Sequence, residues 1–478
     1  MLRTIIFIAV LATLSGCAVV GSEFTSPKNI GGVAYRHTDK SDTVQLQSQW
    51  WTVFGDTRLD ALEKRALINN PSLNASAQRL VQAQAQLGNL SAAQFPNVSV
   101  GSSVSNSHTS RNSSQGIAFG RSTIEGNNYS LGASMSYEID LWGRVKHIVE
   151  AADAQAVVAQ DEHANVRLLL SAQLATAYWQ LRGMDAEMVI LTRALAARLE
   201  AEQLIEARLN GGLSNELDVS RARIERANAQ ADLHEIQRQR NLLEHSLAIL
   251  VGTSPSEPLI TDTAQQTNLP EAPIIPVGLP ATLLAQRPDL AASVASLRAA
   301  NAQIGVAEGA FYPALSLTSN FGYASEALRE LAQSGSRQFS FGPLALSLPV
   351  FDGGRNKSNL KQAKARYEEA LANHEGKLLN ALREVEDALS DVQQRQRQAD
   401  AQVQAQQAAA RAYLVAQARY ERGISNYLDV IDAQRSSLTA DRAAVQIKTQ
   451  RLLASVAVAR ALGAGWENKA GVIIVQAH

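Results

Sequence analysis

The sequence holds a single cysteine, Cys17, so no intrachain disulfide can form. It also lacks an excess of either charge: the formal net charge is −1, which offers no electrostatic footprint for nucleic acid or a strongly anionic surface. Aromatic residues amount to only 5%, against an abundance of Ala and Gln, a composition suited to long helices packed through small side chains. No internal run of 18 apolar residues occurs, so no transmembrane helix is expected. Proline is missing over two long stretches, Arg144 to Arg208 and Arg355 to Glu421. Uninterrupted helix of that length spans roughly 100 Å, more than a globular domain needs.

What is present is present twice. The segment starting NPSLNASAQRL at Asn70 returns without a gap as RPDLAASVASL at Arg287, with Pro71 matching Pro288 and Pro96 matching Pro313 (288 − 71 = 313 − 96 = 217). GLSNELDV from Gly212 returns as GISNYLDV from Gly423 (423 − 212 = 211). A repeat this long implies two like units forming one interlocked structure. The sequence divides into residues 1–16, 17–58, a first repeat at 59–250, a linker at 251–280 rich in Pro, Thr and Gln, a second repeat at 281–463, and a tail at 464–478.

The first of these segments is an address label. Arg3 supplies a charged start, Ile5 to Leu14 a short apolar core, and Leu14-Ser15-Gly16-Cys17 a lipobox-like end. Ten apolar residues are too few to span a bilayer and fit a cleaved signal peptide. Cys17 is then the expected lipidation site. One acyl group anchors weakly, so lipid need not be the only attachment.

Within each repeat the hydrophobic period changes. Val98, Val100 and Val104 are spaced by Ser and Gly, and Tyr129, Leu131, Ala133, Met135, Tyr137 and Ile139 alternate strictly. In the second repeat Leu315, Leu317, Phe321 and Tyr323 alternate, followed by Phe339, Phe341, an irregularity at Pro343, then Leu344, Leu346, Leu348 and Val350. Strands are expected near 97–110, 127–140, 314–323 and 339–351. Their length suits a tilted membrane-crossing strand, yet four strands cannot close a barrel. Either this is a small soluble sheet or several chains pool their strands.

In the second long helix Leu360, Ala363, Tyr367, Ala370, His374, Leu378, Ala381, Val385, Ala388 and Val392 form a heptad seam, with Leu371, Leu382 and Leu389 in a second stripe beside it. Two seams require two neighbours, as in a ring of helices. Each long helix ends in a glycine turn, Gly211-Gly212-Leu213-Ser214 and Gly423-Ile424-Ser425, where Gly suits the left-handed position and the following Asn an N-cap.

Several motifs in register, covering nearly all of the chain after Cys17, carry a resemblance: Trp50-Trp51 with Phe54-Gly55-Asp56, the NPSL and RPDL helices, Tyr137 through Arg144, Leu348 through Arg355, and Tyr427 through Arg435. In these the chain resembles the TolC-like outer membrane factors, in particular their NodT-type lipoprotein branch. The resemblance implies an α+β membrane protein, internally duplicated, in which three chains give four strands each to one transmembrane β-barrel above a long α-helical barrel. It places 17–58, the linker and the tail in an equatorial mixed region. It further implies a passive outer-membrane exit duct, in a tripartite efflux system, for drugs or toxic small molecules. The partners would be two like chains, a periplasmic adaptor and an inner-membrane pump of RND type, with no cofactor and no metal. Adaptor docking would fall on Gly211, Gly212, Leu213, Ser214, Gly423, Ile424 and Ser425.

A periplasmic gate would fall on Leu428, Asp429, Asp432 and Arg435, with Asp218 and Arg221 from the first repeat. Asp429 and Asp432 lie three apart, so in a trimer each would form a ring of three like charges. Asp429 also stands where an acid supports a helix start, as does Asp218 in the first repeat. Asp432 corresponds to Arg221, an acid exchanged for a base between the repeats, which makes Asp432 the sharper gate candidate. Alternatives from other classes are a duct for type I protein secretion and a periplasmic coiled-coil scaffold. An enzyme has little support: there is no HExxH, no GxSxG and no phosphate loop, and the lone cysteine sits at the lipidation site.

Overall fold

The computed structural model describes residues 20–27, 35–36, 49–118, 120, 125–260, 269–275 and 287–466. Cys17 and the leader before it lie outside the described residues, as do 261–268 and 276–286 of the linker region and the tail after 466. Two compact units are formed. One comprises residues 1–27, 80–159 and 293–374, the other 28–79, 160–292 and 375–478. Each draws on both repeats, so the duplication does not correspond to two separate domains.

The helices are α1 (Thr57–Asn69), α2 (Pro71–Ser91), a short α3 (Ser114–Ala118), α4 (Arg144–Asn210), α5 (Glu216–Val251), α6 (Pro288–Gly309), α7 (Arg355–Glu421) and α8 (Tyr427–Ala461). Helices α4 and α7 are each 67 residues long, a length the missing prolines permit. None of the described helices is long and apolar enough to cross a membrane.

The first unit carries the strands β1 (Asn97–His108), β2 (Glu125–Ile139), β3 (Ala314–Ser325) and β4 (Arg337–Ser347), in one antiparallel sheet of order β1-β2-β3-β4. Its register aligns the apolar residues of all four strands. Val100 faces Ala133, which faces Phe321, which faces Phe339. Val98 and Met135 form a parallel row, as do Leu317 and Leu344. Because side chains alternate across a strand, these rows share one face. The other face carries hydroxyls, with Ser99 bonding Ser134 at 2.7 Å and Ser103 bonding Ser130 at 2.7 Å; the apolar face ends in an amide pair, Asn106 donating to Asn127 at 2.9 Å.

Pro343 breaks the alternation between Phe341 and Leu344, and a bulge between Leu317 and Ser319 absorbs the extra residue. Both flanks of β4 thereby keep their apolar side chains on the same face. The alternating pattern extends to Val350, but the ladder stops at Ser347. Pro349 has no N–H to give to it, and glycines at 353 and 354 with positive φ turn the chain into α7.

The second unit is helical. A turn of tight helix at Trp50–Phe54 leads to Asp56, whose carboxylate caps α1 by accepting from the N–H groups of Arg58 and Leu59. The Tyr178 hydroxyl donates to the same carboxylate at 2.8 Å. Trp50, Trp51, Phe54, Leu59, Leu174, Tyr178 and Trp179 form the largest buried cluster. The α7 seam behaves as its spacing predicts: Leu378, Ala381, Val385 and Ala388 are buried, whereas Val392 is already exposed.

Candidate gate and docking turns

Two helix-to-helix turns in the second unit repeat one design. At the end of α4, Gly212 adopts φ +69 and Leu213 N–H donates 2.8 Å to the Arg208 carbonyl. At the end of α7, Gly423 adopts φ +74 and Ile424 N–H donates 2.9 Å to the Arg419 carbonyl. These six-residue closures satisfy carbonyls that the helix ends would leave unpaired, and the left-handed residue in each must be glycine to avoid strain. Asn215 and Asn426 then cap α5 and α8, their side chains accepting from Asp218 N–H at 2.9 Å and Asp429 N–H at 3.0 Å. Leu213 and Ile424 are left 81% and 63% exposed, an apolar residue at the apex of each turn. Ser214 and Ser425 bury their hydroxyl oxygens without a protein partner among the described residues.

Behind the turns lies a small core of Ile205, Val219, Ala222, Tyr427, Val430 and Ile431. Tyr420 packs on Tyr427 at 5.5 Å, and the Arg208 guanidinium sits 4.7 Å above the Tyr420 ring. Burial pushes the Tyr427 hydroxyl up to about 12, with Tyr420 and Glu225 adding to the rise.

The charged residues divide into two sets. Asp218 pairs with Arg221 one turn along α5 at 3.4 Å. Asp432 reaches Arg435 only at 4.0 Å, and both are more than half exposed. Arg435 bonds instead to Glu225 on α5, its Nε donating at 2.9 Å and its Nη2 at closer range to the same oxygen. Glu225 is buried, and it also faces Arg198 of α4, whose Nη1 donates to the Glu225 carbonyl at 2.9 Å and whose Nη2 lies 3.3 Å from its carboxylate. One acid thus ties α4, α5 and α8 together. The hydrogen bond to Glu225 raises the Arg435 guanidinium further above its ordinary range.

A family model described as "Outer membrane efflux protein" matches residues 62–253 and 279–464. The chain belongs to the outer membrane efflux protein family. Outer membrane protein OprJ of Pseudomonas aeruginosa is 33% identical over 445 residues, 93% of this chain and 91% of that protein. The toluene efflux pump outer membrane protein TtgC of Pseudomonas putida is 31% identical over 483 residues, 98% of this chain and 97% of that protein. The solved outer-membrane channel OprN superposes with a TM-score of 0.88 at 30% identity, covering 94% of this chain and 100% of OprN. The efflux family resolves the ambiguity that strand alternation left open: this is an outer-membrane efflux channel subunit, and its sheet is not a small soluble one.

Within that family frame, Asp218 and Arg221 are in contact, as are Asp432 and Arg435 at the limit of an ion pair, while Leu428 and Asp429 stand exposed on the first turn of α8. The residue that spacing does not reveal is Glu225. A signal for it exists: by the 211 offset its counterpart is Ser436 (225 + 211), a second site where the repeats differ in charge.

Proposed function

We propose that three copies of the chain close one duct, each giving four strands to an outer-membrane barrel and its helices to a periplasmic tunnel. The observation that carries this reading is the sheet: one face is apolar across four strands and largely exposed, the other is hydroxyl-lined, and β1 and β4 are open edges. An isolated sheet of this kind would be unstable, whereas closure with two like sheets turns the apolar face to lipid and the polar face to a lumen. The duct receives drugs or toxic small molecules from an inner-membrane pump of RND type through a periplasmic adaptor, and it performs no chemical step. Cys17 is its lipidation site.

The glycine turns at 211–214 and 423–425 are the adaptor's docking points, supported by the exposed Leu213 and Ile424. Ser425 and Asp429 line an open groove of about 660 Å³ together with Arg411, Val415 and Arg419, which extends the docking surface along α7. The gate is the set Leu428, Asp429, Asp432 and Arg435 with Asp218 and Arg221. Asp432 forms its narrowest charged ring, and the Arg435–Glu225 bond holds α8 against α5 in the closed state.

The deciding experiment is planar-bilayer conductance of the purified oligomer beside Asp432→Ala. Small, flickering wild-type currents that grow in the variant support a gated duct. Equal currents leave the duct and remove the gate assignment. Folded protein that never conducts returns the scaffold reading.

A further inference from the structure

Residues 20–24, the first described, are held in the strand-bearing unit by contacts with Trp142, His147, Arg298 and Asn301. Val20 N–H donates to the Trp142 carbonyl at 3.0 Å, and the Val20 carbonyl accepts from His147 Nε2 at 2.7 Å. His147 Nδ1 meets Glu150 Oε2 at 2.6 Å. A carbonyl oxygen can only accept, so Nε2 supplies the N–H in the bond to Val20. His147 is 9% exposed, and its ring is slotted between Gly21 and Gly305. A Cβ at Gly21 would lie 2.8 Å from Nε2, and one at Gly305 of α6 would lie 2.5 Å from Cδ2. Gly21 also adopts φ +129, a conformation closed to other residues. Beyond the ring, Asn301 donates to the Ser22 carbonyl at 2.9 Å and the Arg298 guanidinium lies 5.6 Å from the Phe24 ring centre.

We propose that His147 is a positioning residue that clasps residues 20–24 to α4 and α6, so that the segment directly following the lipidation site is held by protein contacts rather than by the lipid. This rests on the lipidation of Cys17 proposed above. With the clasp closed, the point of chain attachment is set three residues from Cys17, at the Trp142 junction of β2 and α4, whether or not the acyl chain is in the membrane. Trp142 is itself fixed there, its indole N–H donating to the Pro313 carbonyl at 2.9 Å and its ring stacking on Tyr312 at 5.0 Å.

The test uses Glu23→Cys carrying a nitroxide label in the full-length assembled protein, with Cys17 retained or replaced by serine. The expected spectrum is strongly immobilised in both backgrounds, becomes predominantly mobile in His147→Ala, and is largely restored in His147→Gln, whose amide can still donate to the Val20 carbonyl. Gly305→Val, which fills the ring's slot from the other side, mobilises the label as well. A label that stays immobile in His147→Ala, or that is released by Cys17→Ser alone, overturns the clasp. Failure of the lipidation reading is seen separately: an unacylated Cys17 takes up a second label, giving two per chain instead of one.

Discussion

Arg435 has two acidic neighbours with different physical character. Asp432 is 64% exposed, and its pair with Arg435 is a solvated one, worth about 0–1 kcal/mol. Glu225 is 5% exposed, so its bond to Arg435 belongs with hydrogen bonds to charged groups, at about 1.5–3 kcal/mol. Arg435→Ala should therefore loosen the contact between α5 and α8 more than Asp432→Ala, with larger and longer openings in bilayer recordings. Glu63 of α1 makes a second residue-scale case. It is fully buried, and burial pushes its carboxyl well above the ordinary value of 4.5, with Asp60 adding to the rise and Ser171 offsetting part of it. The native state then holds a proton that the unfolded chain releases, so stability falls as pH rises above 4.5, by at most about 1.4 kcal/mol per pH unit. Glu63→Gln should be more stable than the parent at neutral pH, and the difference should vanish below pH ~4.5 in a pH series of melting curves.

At the scale of elements, the turns and the sheet make opposite demands. Each returning helix depends on an asparagine cap, and loss of a cap costs about 1 kcal/mol. Asn215→Ala and Asn426→Ala should each lower stability by that amount, and hydrogen exchange should show the loss in the first turns of α5 and α8. The sheet depends on close strand approach. A Cβ at Gly322 would collide with the Leu131 carbonyl and Gly132 Cα on the neighbouring strand, β2. Gly322→Val should block the β2–β3 pairing that joins the two repeats, and should reduce the yield of assembled oligomer on semi-native gels while leaving helical content nearly unchanged. A third element-scale feature is duplicated. Ser76 bonds His163 Nδ1 and Ser293 bonds His374 Nδ1, both at 2.7 Å, and the two pairs sit at the 217 and 211 offsets of the repeat (293 − 76; 374 − 163). Ser76 spends its own hydroxyl proton on the Leu73 carbonyl at 2.7 Å, so His163 is the donor in its pair. Ser76→Ala leaves that ring N–H without its acceptor and should cost about 1–3 kcal/mol, read from denaturant midpoints.

For the whole molecule the governing fact is how much apolar surface a single copy leaves in water. Val100, Phe339, Phe341 and Leu346 are each at least 67% exposed, all on one face of a sheet with two open edges. A monomer with such a face is an aggregation hazard, and it becomes a stable object only on closure in a bilayer. Assembly and membrane insertion should therefore be coupled. Charged replacements on that face, such as Phe339→Asp, should abolish both oligomer and conductance, whereas Ser99→Asp on the hydroxyl face should leave the oligomer and change ion selectivity toward cations.

Much of this was legible in sequence because the signals are periodic or depend on backbone chemistry. The two 67-residue helices follow from absent proline and a heptad seam, the glycine turns from residues that alone tolerate positive φ, and the strands from strict alternation. The offsets of the duplication pair equivalent elements of the two repeats. Periodicity says which face is buried but not which polar group meets which. Glu225 reads in sequence as one more acid on a helix, and only tertiary packing surrounds it with Arg198 and Arg435. Nothing in sequence sets His147 apart from other helical histidines, and only the approach of Gly21 and Gly305 makes it a clasp. The strand ends followed the same division: alternation ran on to Val350, while the ladder stopped at Ser347, since hydrogen bonding needs an N–H that Pro349 lacks. The sequence by itself determined the elements, their order and their apolar faces, because local propensity and burial are written residue by residue. The tertiary structure decided the partners of the charged and polar groups, because those contacts join residues as far apart as 350 positions and no local rule ranks one such pair above another.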